Sequence, residues 1–330
     1  MTQTGPAAPA PAPAPALPLI DLSPYLAPQH PGDRERVVEQ VREAARQHGF
    51  FQVTGHGIPL ELQRDLVRCM DKLFGLPREA KLAMSFLENP CRRGYEAAGM
   101  SLREGDALPD AKECFFLARD DPAVELSGFF GPNVWPPDLP DGDFRRPAQA
   151  YYEHSVALGK TVWRILLEGL GQPGDLVEAF AARPVVPMKM IRYPPHRTVR
   201  AGQLGIGAHT DFGGVTVLFQ QPGKDGLEVW DDARAAWIPV PALEDVYVIN
   251  CGDMVQRWSA GAYKSARHRV LNKADGERLS CATFWHGDIN ASNPLRPHDP
   301  DRETVGQLLV KRFRSQYSIT KEAVAQVGLV

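Results

Sequence analysis

Two hydrophobic rhythms divide the chain. From Asp33 onward the apolar positions Val37, Val41, Ala44 and Ala45 recur at helical spacing, with Asp33 placed to cap the first turn, so a helix is predicted to about His48. Leu62, Leu66, Met70 and Leu73 predict a second helix over 60–73, and Tyr152, Val156, Val162 and Leu166 a third over 148–169. Short apolar runs at 17–22 and 50–53 read as strands. From Met188 the texture changes to β-branched and aromatic runs at 188–193, 213–220, 226–230, 236–240, 246–250, 267–272 and 278–285, each closed by turn residues. Strands at that interval argue for an antiparallel sandwich or barrel. Asp299-Pro300 followed by Val305, Leu308, Leu309 and Phe313 predicts a closing helix with Pro at its first position. Residues 76–147 show little periodicity outside 113–118.

Composition narrows the function classes. The 330 residues are 43% hydrophobic and 23% charged, enough for a large core. With 37 basic against 40 acidic side chains there is no electrostatic footprint for nucleic acid and no polybasic stripe for a membrane surface. No run reaches the ~20 apolar residues of a membrane span. The five cysteines, Cys69, Cys91, Cys114, Cys251 and Cys281, lack any C-x-x-C pair and suit idle buried thiols in a reducing cytoplasm. The Pro/Ala repeat over residues 1–16 reads as an extended, solvated tail without a signal peptide's basic start and leucine-rich core.

The chemistry concentrates in 207–220. His209 and Asp211, two apart on a strand, would point one imidazole and one carboxylate the same way. His268, in another strand-like segment, is the best-placed third donor. Two histidines and one carboxylate form the facial triad of non-haem Fe(II) oxygenases, although zinc accepts the same donors. Ten residues on, Arg278 and Ser280 share a strand face, where a guanidinium fork and a hydroxyl suit a carboxylate. Phe284 has the same parity and faces the pocket in place of Trp285. His286, on the strand leaving Arg278, is close enough to touch a substrate.

The order His-x-Asp, distal His, Arg-x-Ser, with Gly226-Leu227-Glu228-Val229, Trp237-Ile238-Pro239 and Asn250-Cys251-Gly252-Asp253 between, resembles the isopenicillin N synthase-like family of 2-oxoglutarate/Fe(II) dioxygenases. Upstream, 49–58, Gly94-Tyr95, Lys112-Glu113 and 131–136 match that family's landmarks in order, covering about residues 17–317. The resemblance implies an α+β fold: a distorted double-stranded β-helix, or jelly roll, with the metal between its sheets and helices outside. It divides one structural unit into the tail (1–16), a helical and mixed region (17–183), the jelly-roll core (184–292) and a C-terminal helix and tail (293–330). It implies Fe(II) on His209, Asp211 and His268, and 2-oxoglutarate on Arg278, Ser280 and Tyr193. Dioxygen is consumed to oxidise a C–H bond of a small-molecule metabolite, by hydroxylation, desaturation or ring closure, in secondary metabolism. For the substrate it points to Phe284, Arg103, Phe115, Phe130 and Phe313, with Lys112 as a further polar handle. One departure stands out: many relatives carry Asn two positions before the tyrosine, and here the residue is Ile191. An oxidase or cyclase independent of 2-oxoglutarate, in which Arg278 and Ser280 hold the substrate's own carboxylate, therefore stays open, as does a non-catalytic metal-binding sensor. Oligomeric state is not written in these residues.

Overall fold

The structure, a computed structural model, describes residues 16–102, 107–123, 128–273, 275–298 and 303–311. The N-terminal half runs β1 (Leu19–Asp21), α1 (Ser23–Leu26), α2 (Asp33–Gln47), β2 (Phe50–Thr54), α3 (Leu60–Phe74), α4 (Arg78–Leu82), β3 (Gly94–Glu96), β4 (Glu113–Leu117) and α5 (Arg145–Gly169). There follow β5 (Pro184–Val185), β6 (Met188–Tyr193), β7 (Ile206–His209), β8 (Val215–Gln220), β9 (Leu227–Asp231), β10 (Ala236–Pro239) and β11 (Tyr247–Cys251). The last are α6 (Asp253–Trp258), β12 (His268–Val270), β13 (Arg278–Trp285) and β14 (Gly287–Asp288).

The strands make a large sheet in the order β1-β2-β11-β8-β13-β6-β4-β3, a facing sheet β10-β9-β12-β7 and the small pair β14-β5. All pairings are antiparallel except β1 with β2. The two-residue period of a strand sorts each strand's side chains onto two faces. Met188 and Met190 of β6, Val215, Val217 and Phe219 of β8, and Leu279, Cys281 and Trp285 of β13 all lie in the core that packs against α2, α3 and α5. Ile191 and Tyr193 of β6, Val248 of β11 and Cys114 of β4 face the other way, into a second core shared with Leu227, Val229 and Val270 of the smaller sheet. That second layer, between the sheets, is where the functional side chains converge. This is the α+β jelly roll that the resemblance implies, and it fits the antiparallel sandwich that the strand spacing predicts.

Helix α5 clamps the outer face. Its buried stripe includes Tyr151, Leu158, Val162, Trp163 and Leu166, and Trp163, Phe180, Trp258 and Trp285 meet ring to ring with centroids 5.0–6.3 Å apart. Gly159 is required there, because a Cβ on it would sit 2.9 Å from the Trp285 ring. Tight packing of this kind fixes the register of β13, and hence the position of Arg278 and Ser280.

Some predictions are corrected. Asp33 does not cap α2, whose preceding residue is Gly32; its carboxylate instead accepts N–H groups from Gln29 and His30 before the helix. The closing helix is seen from 305 to 311, later than Pro300, in the described residues. Between the helices, 94–96 and 78–82 form elements with no periodic signal because they are too short to show one. Residues 1–15, Arg103 and Phe313 lie outside the described residues, and with them the tail and two of the expected substrate contacts. All five cysteines are buried and free.

Candidate metal and co-substrate site

His209 and Asp211 come together, but not on one strand. His209 is the last residue of β7, and Asp211 lies in the turn to β8, where its carbonyl accepts the Asp253 N–H (2.7 Å) and the Gly213 carbonyl accepts the Met254 N–H (3.1 Å). His268 is the direct cross-strand partner of His209, with ring centroids 4.2 Å apart. The Asp211 Oδ1 atom is 3.7 Å from His209 Nε2 and 3.8 Å from His268 Nε2. One donor atom from each of the three lies within 4.8 Å of the others.

Each of the three is held from behind. His209 Nδ1 is 2.8 Å from the Gly207 carbonyl and His268 Nδ1 is 3.2 Å from the Ala266 carbonyl. A carbonyl oxygen only accepts, so Nδ1 is the donor in both rings and both Nε2 atoms turn toward Asp211. Asp211 Oδ2 accepts from Thr216 Oγ1 (2.7 Å) and Asn250 Nδ2 (2.8 Å), which leaves Oδ1 for the histidine side. Register brings these two braces in, since Asn250 pairs with Thr216 across β11 and β8. Two imidazoles and one carboxylate oxygen on one side of a common point suit Fe(II) with open positions opposite, and zinc as well.

Along the same inner face, Arg278 and Ser280 are 3% and 1% exposed. Arg278 Nε donates to the Lys224 carbonyl and Nη2 to Gln220 Oε1, both at 2.9 Å. The guanidinium lies over the Tyr193 ring, 4.8 Å from its centroid. Two of its three nitrogens are therefore occupied, and the open fork expected from sequence is narrower: Nη1 and the neighbouring Ser280 hydroxyl are both buried without a partner among the described residues. Among the described residues no carboxylate is paired with Arg278, and burial pulls its pKa down against weaker opposing influences from Tyr193 and Asp225. A buried cation with an unsatisfied N–H beside an unsatisfied hydroxyl calls for an anion, and a carboxylate answers both. The residues thus fit one carboxylate of a dicarboxylic keto acid, with Ala282 as the residue of the same parity between Ser280 and Phe284 on β13.

Phe284 is on the inner face, opposite Thr216. It lies nearly parallel to His286 at 6.2 Å, and Phe212 flanks the same imidazole at 5.4 Å. His286 is buried, which pushes its pKa down to about 4, so the ring is neutral; its Nδ1 has no partner. Gly213 admits it, because a Cβ there would fall 1.9 Å from that nitrogen. Two other expected contacts are corrected by parity and packing. Phe115 points to the helix side of β4 and meets Phe144 edge-on at 5.7 Å, so Phe116 holds the inward position. Phe130 belongs to that same outer core, with the Arg183 guanidinium over its ring. Lys112 is no open handle either: it is buried, with Nζ 2.8 Å from Asp110. Sequence reasoning missed Thr216, Asn250 and Gln220. Their roles depend on which strands pair, and β8, β11 and β13 are not consecutive.

Comparison with known proteins agrees with this geometry. Residues 17–138 match the family model described as non-haem dioxygenase in morphine synthesis N-terminal, and residues 185–287 match that of the 2OG-Fe(II) oxygenase superfamily. The chain is 64% identical over 313 residues to the 2-oxoglutarate-dependent dioxygenase thnC of Trichoderma harzianum, covering 95% of this chain and 98% of that one. It is 47% identical over 303 residues to the 2-oxoglutarate-dependent dioxygenase caaD of Aspergillus niger, covering 92% and 94%. Among solved structures it resembles a full-length Neurospora crassa protein crystallised with alpha-KG and thymine, with a TM-score of 0.79, 25% identity and coverage of 91% and 96%. Buried orphan donors that fit a carboxylate and a His-Asp-His cluster thus occur in one chain whose relatives are named 2-oxoglutarate-dependent dioxygenases, and the 2-oxoglutarate-independent and sensor readings fall away. The chain belongs to the 2OG-Fe(II) oxygenase superfamily and is a 2-oxoglutarate-dependent dioxygenase.

Proposed function

We propose that His209, Asp211 and His268 hold the Fe(II), that Arg278 Nη1 and the Ser280 hydroxyl, over the Tyr193 ring, take the far carboxylate of 2-oxoglutarate, and that Phe284, Phe212 and His286 form one wall for the substrate. The observation that carries the reading is the buried Arg278 charge, paired with no carboxylate among the described residues, with two orphan donors on the inner face of the large sheet, while two of the three metal-cluster residues stand on the facing sheet. When bound, iron and 2-oxoglutarate supply the oxidising power of dioxygen, with 2-oxoglutarate leaving as succinate and carbon dioxide while a substrate C–H becomes C–OH. The protein's part is to hold and orient. The Nδ1 bonds of both histidines orient their Nε2 atoms toward the metal position, the Thr216 and Asn250 bonds occupy Asp211 Oδ2 and leave Oδ1 for the metal, and the aromatic wall would position the C–H bond and exclude water. A wall of two phenyl rings and a neutral imidazole suits a planar, mostly apolar metabolite, which supports a place in secondary metabolism. Among the described residues no helix is long and apolar enough to cross a membrane.

The test is succinate release from 2-oxoglutarate by Fe(II)-loaded protein in air, without added substrate. Wild type should turn over slowly and His209→Ala should not; equal succinate from both would remove His209 from the iron site.

A further inference from the structure

The expected substrate handle Lys112 and its partner Asp110 are too buried to meet a substrate, each being 2% exposed. A buried ion pair is weak evidence for stability, since desolvation offsets much of its attraction. Its position suggests another use. Asp110 Oδ2 takes the Lys112 ammonium at 2.8 Å, while its Oδ1 accepts the backbone N–H of Gly207, also at 2.8 Å. Gly207 is the residue whose carbonyl holds His209 Nδ1.

The strand needs that outside partner. β7 is the terminal strand of the smaller sheet, paired there only with β12. Between the pairs Ile206↔Val270 and His209↔His268 the register shifts, so β7 carries an extra residue at Gly207-Ala208. A bulge leaves a ladder N–H without its usual acceptor and re-aims the side chains that follow. The segment carrying Asp110 is fastened to the same stretch at two further points, through the Ala111 N–H to the Leu204 carbonyl (2.8 Å) and Gln203 Nε2 to the Pro109 carbonyl (2.9 Å).

We propose that Asp110, clamped by Lys112, is the positioning residue that sets His209: its carboxylate takes the Gly207 N–H at the β7 bulge and so fixes the carbonyl that orients the imidazole. The inference rests on the reading of His209 as an iron ligand. It assigns the ion pair to metal affinity, and it makes the stretch before β4 a support of the metal site and not only a lining of the substrate pocket. Removing Asp110 alone would take from the buried ammonium its hydrogen-bonded carboxylate, so the informative variants change both residues.

Titration with Co(II), whose visible bands report ligand geometry, tests this on the full chain. Asp110→Ala/Lys112→Met should bind Co(II) at least about tenfold more weakly, with shifted bands, the size expected when a ligand's supporting partner is removed. Asp110→Asn/Lys112→Met keeps an oxygen for the Gly207 N–H and should stay within about threefold of wild type. Glu113→Gln disturbs another buried ion cluster, with Lys81 and Arg192 on the helix side of β4; it should lower the melting temperature and leave Co(II) affinity unchanged, as general destabilisation would. A folded Asp110→Ala/Lys112→Met protein with wild-type affinity and bands overturns the proposal. Should that variant not fold, hydrogen exchange of metal-free wild type decides: the Gly207 amide should be protected, and exchange at the rate of an open loop overturns the proposal. Failure of wild type to bind Co(II), or binding by His209→Ala equal to wild type, would instead sink the metal reading and this inference with it.

Discussion

Replacing Arg278 with Met should separate ligand binding from stability. Methionine keeps an unbranched, apolar stem and carries no charge. The change removes two charge-assisted hydrogen bonds, to the Lys224 carbonyl and Gln220, at about 1.5–3 kcal/mol each. It also removes a buried charge with no carboxylate partner among the described residues, whose effective desolvation penalty is several kcal/mol. The two effects oppose each other, so the ligand-free variant should melt within a few degrees of wild type. With 2-oxoglutarate the proteins part. At about one hundred times its dissociation constant the ligand stabilises wild type by ~2.7 kcal/mol, a rise of roughly 5 °C at about 2 °C per kcal/mol for a chain of this size. Loss of the Nη1 contact and of the charge should weaken binding about a hundredfold or more, so at the same concentration the variant gains less than ~0.5 kcal/mol and about 1 °C. Anaerobic scanning calorimetry of Mn(II)-loaded protein, with and without 2-oxoglutarate, reads both numbers. A shift in the variant equal to that of wild type would refute the assignment of Arg278 to the co-substrate.

Other outcomes follow from the same geometry. Thr216→Val or Asn250→Ala removes one bond to Asp211 Oδ2, and each should weaken metal binding by about tenfold in a Co(II) titration; unchanged affinity would mean the carboxylate needs no brace. Gly213→Ala places a Cβ 1.9 Å from His286 Nδ1 and should cost about 1–3 kcal/mol in urea unfolding, while an unaltered midpoint would show that His286 moves freely. Glu96 is buried, which raises its pKa, but Lys189 and Lys112 outweigh this and hold it down at about 2. Its folded pKa lies below the unfolded value near 4.3, so the stability it contributes is present above about pH 4.3 and is lost as pH falls toward 2. Unfolding measured across that window should show a steep loss in wild type and a flatter one in Glu96→Gln; identical slopes would remove Glu96 from the acid response.

How much of this was legible in the sequence depends on range. Local periodicity located α2, α3 and α5 and nearly every strand from 188 onward, because each carries an alternating or helical apolar pattern of its own. The three candidate ligands and the Arg278/Ser280 pair were legible as motifs. His209 and Asp211 do come together, but not because they share a strand: the turn that carries Asp211 is folded back onto Asp253 and Met254, far downstream in the chain. Parity on β13 placed Phe284 correctly because that strand is regular over eight residues. On β4 no local anchor says which face is inner, and it is Phe116, not the expected Phe115, that packs toward the space between the sheets. Thr216, Asn250 and Gln220 are placed through pairings between distant strands, and the Asp110 contact with Gly207 joins segments 97 residues apart; no local pattern encodes those.

The most direct test of the iron and co-substrate assignment is an anaerobic titration of 2-oxoglutarate into Fe(II)-loaded protein, following the weak visible charge-transfer absorption of a keto acid chelated to iron. The account expects the band to grow to one equivalent of iron in wild type, to be absent in His209→Ala, and to need far more 2-oxoglutarate in Ser280→Ala. Iron bound at one equivalent with no band at any concentration, or a full band in His209→Ala, would contradict it.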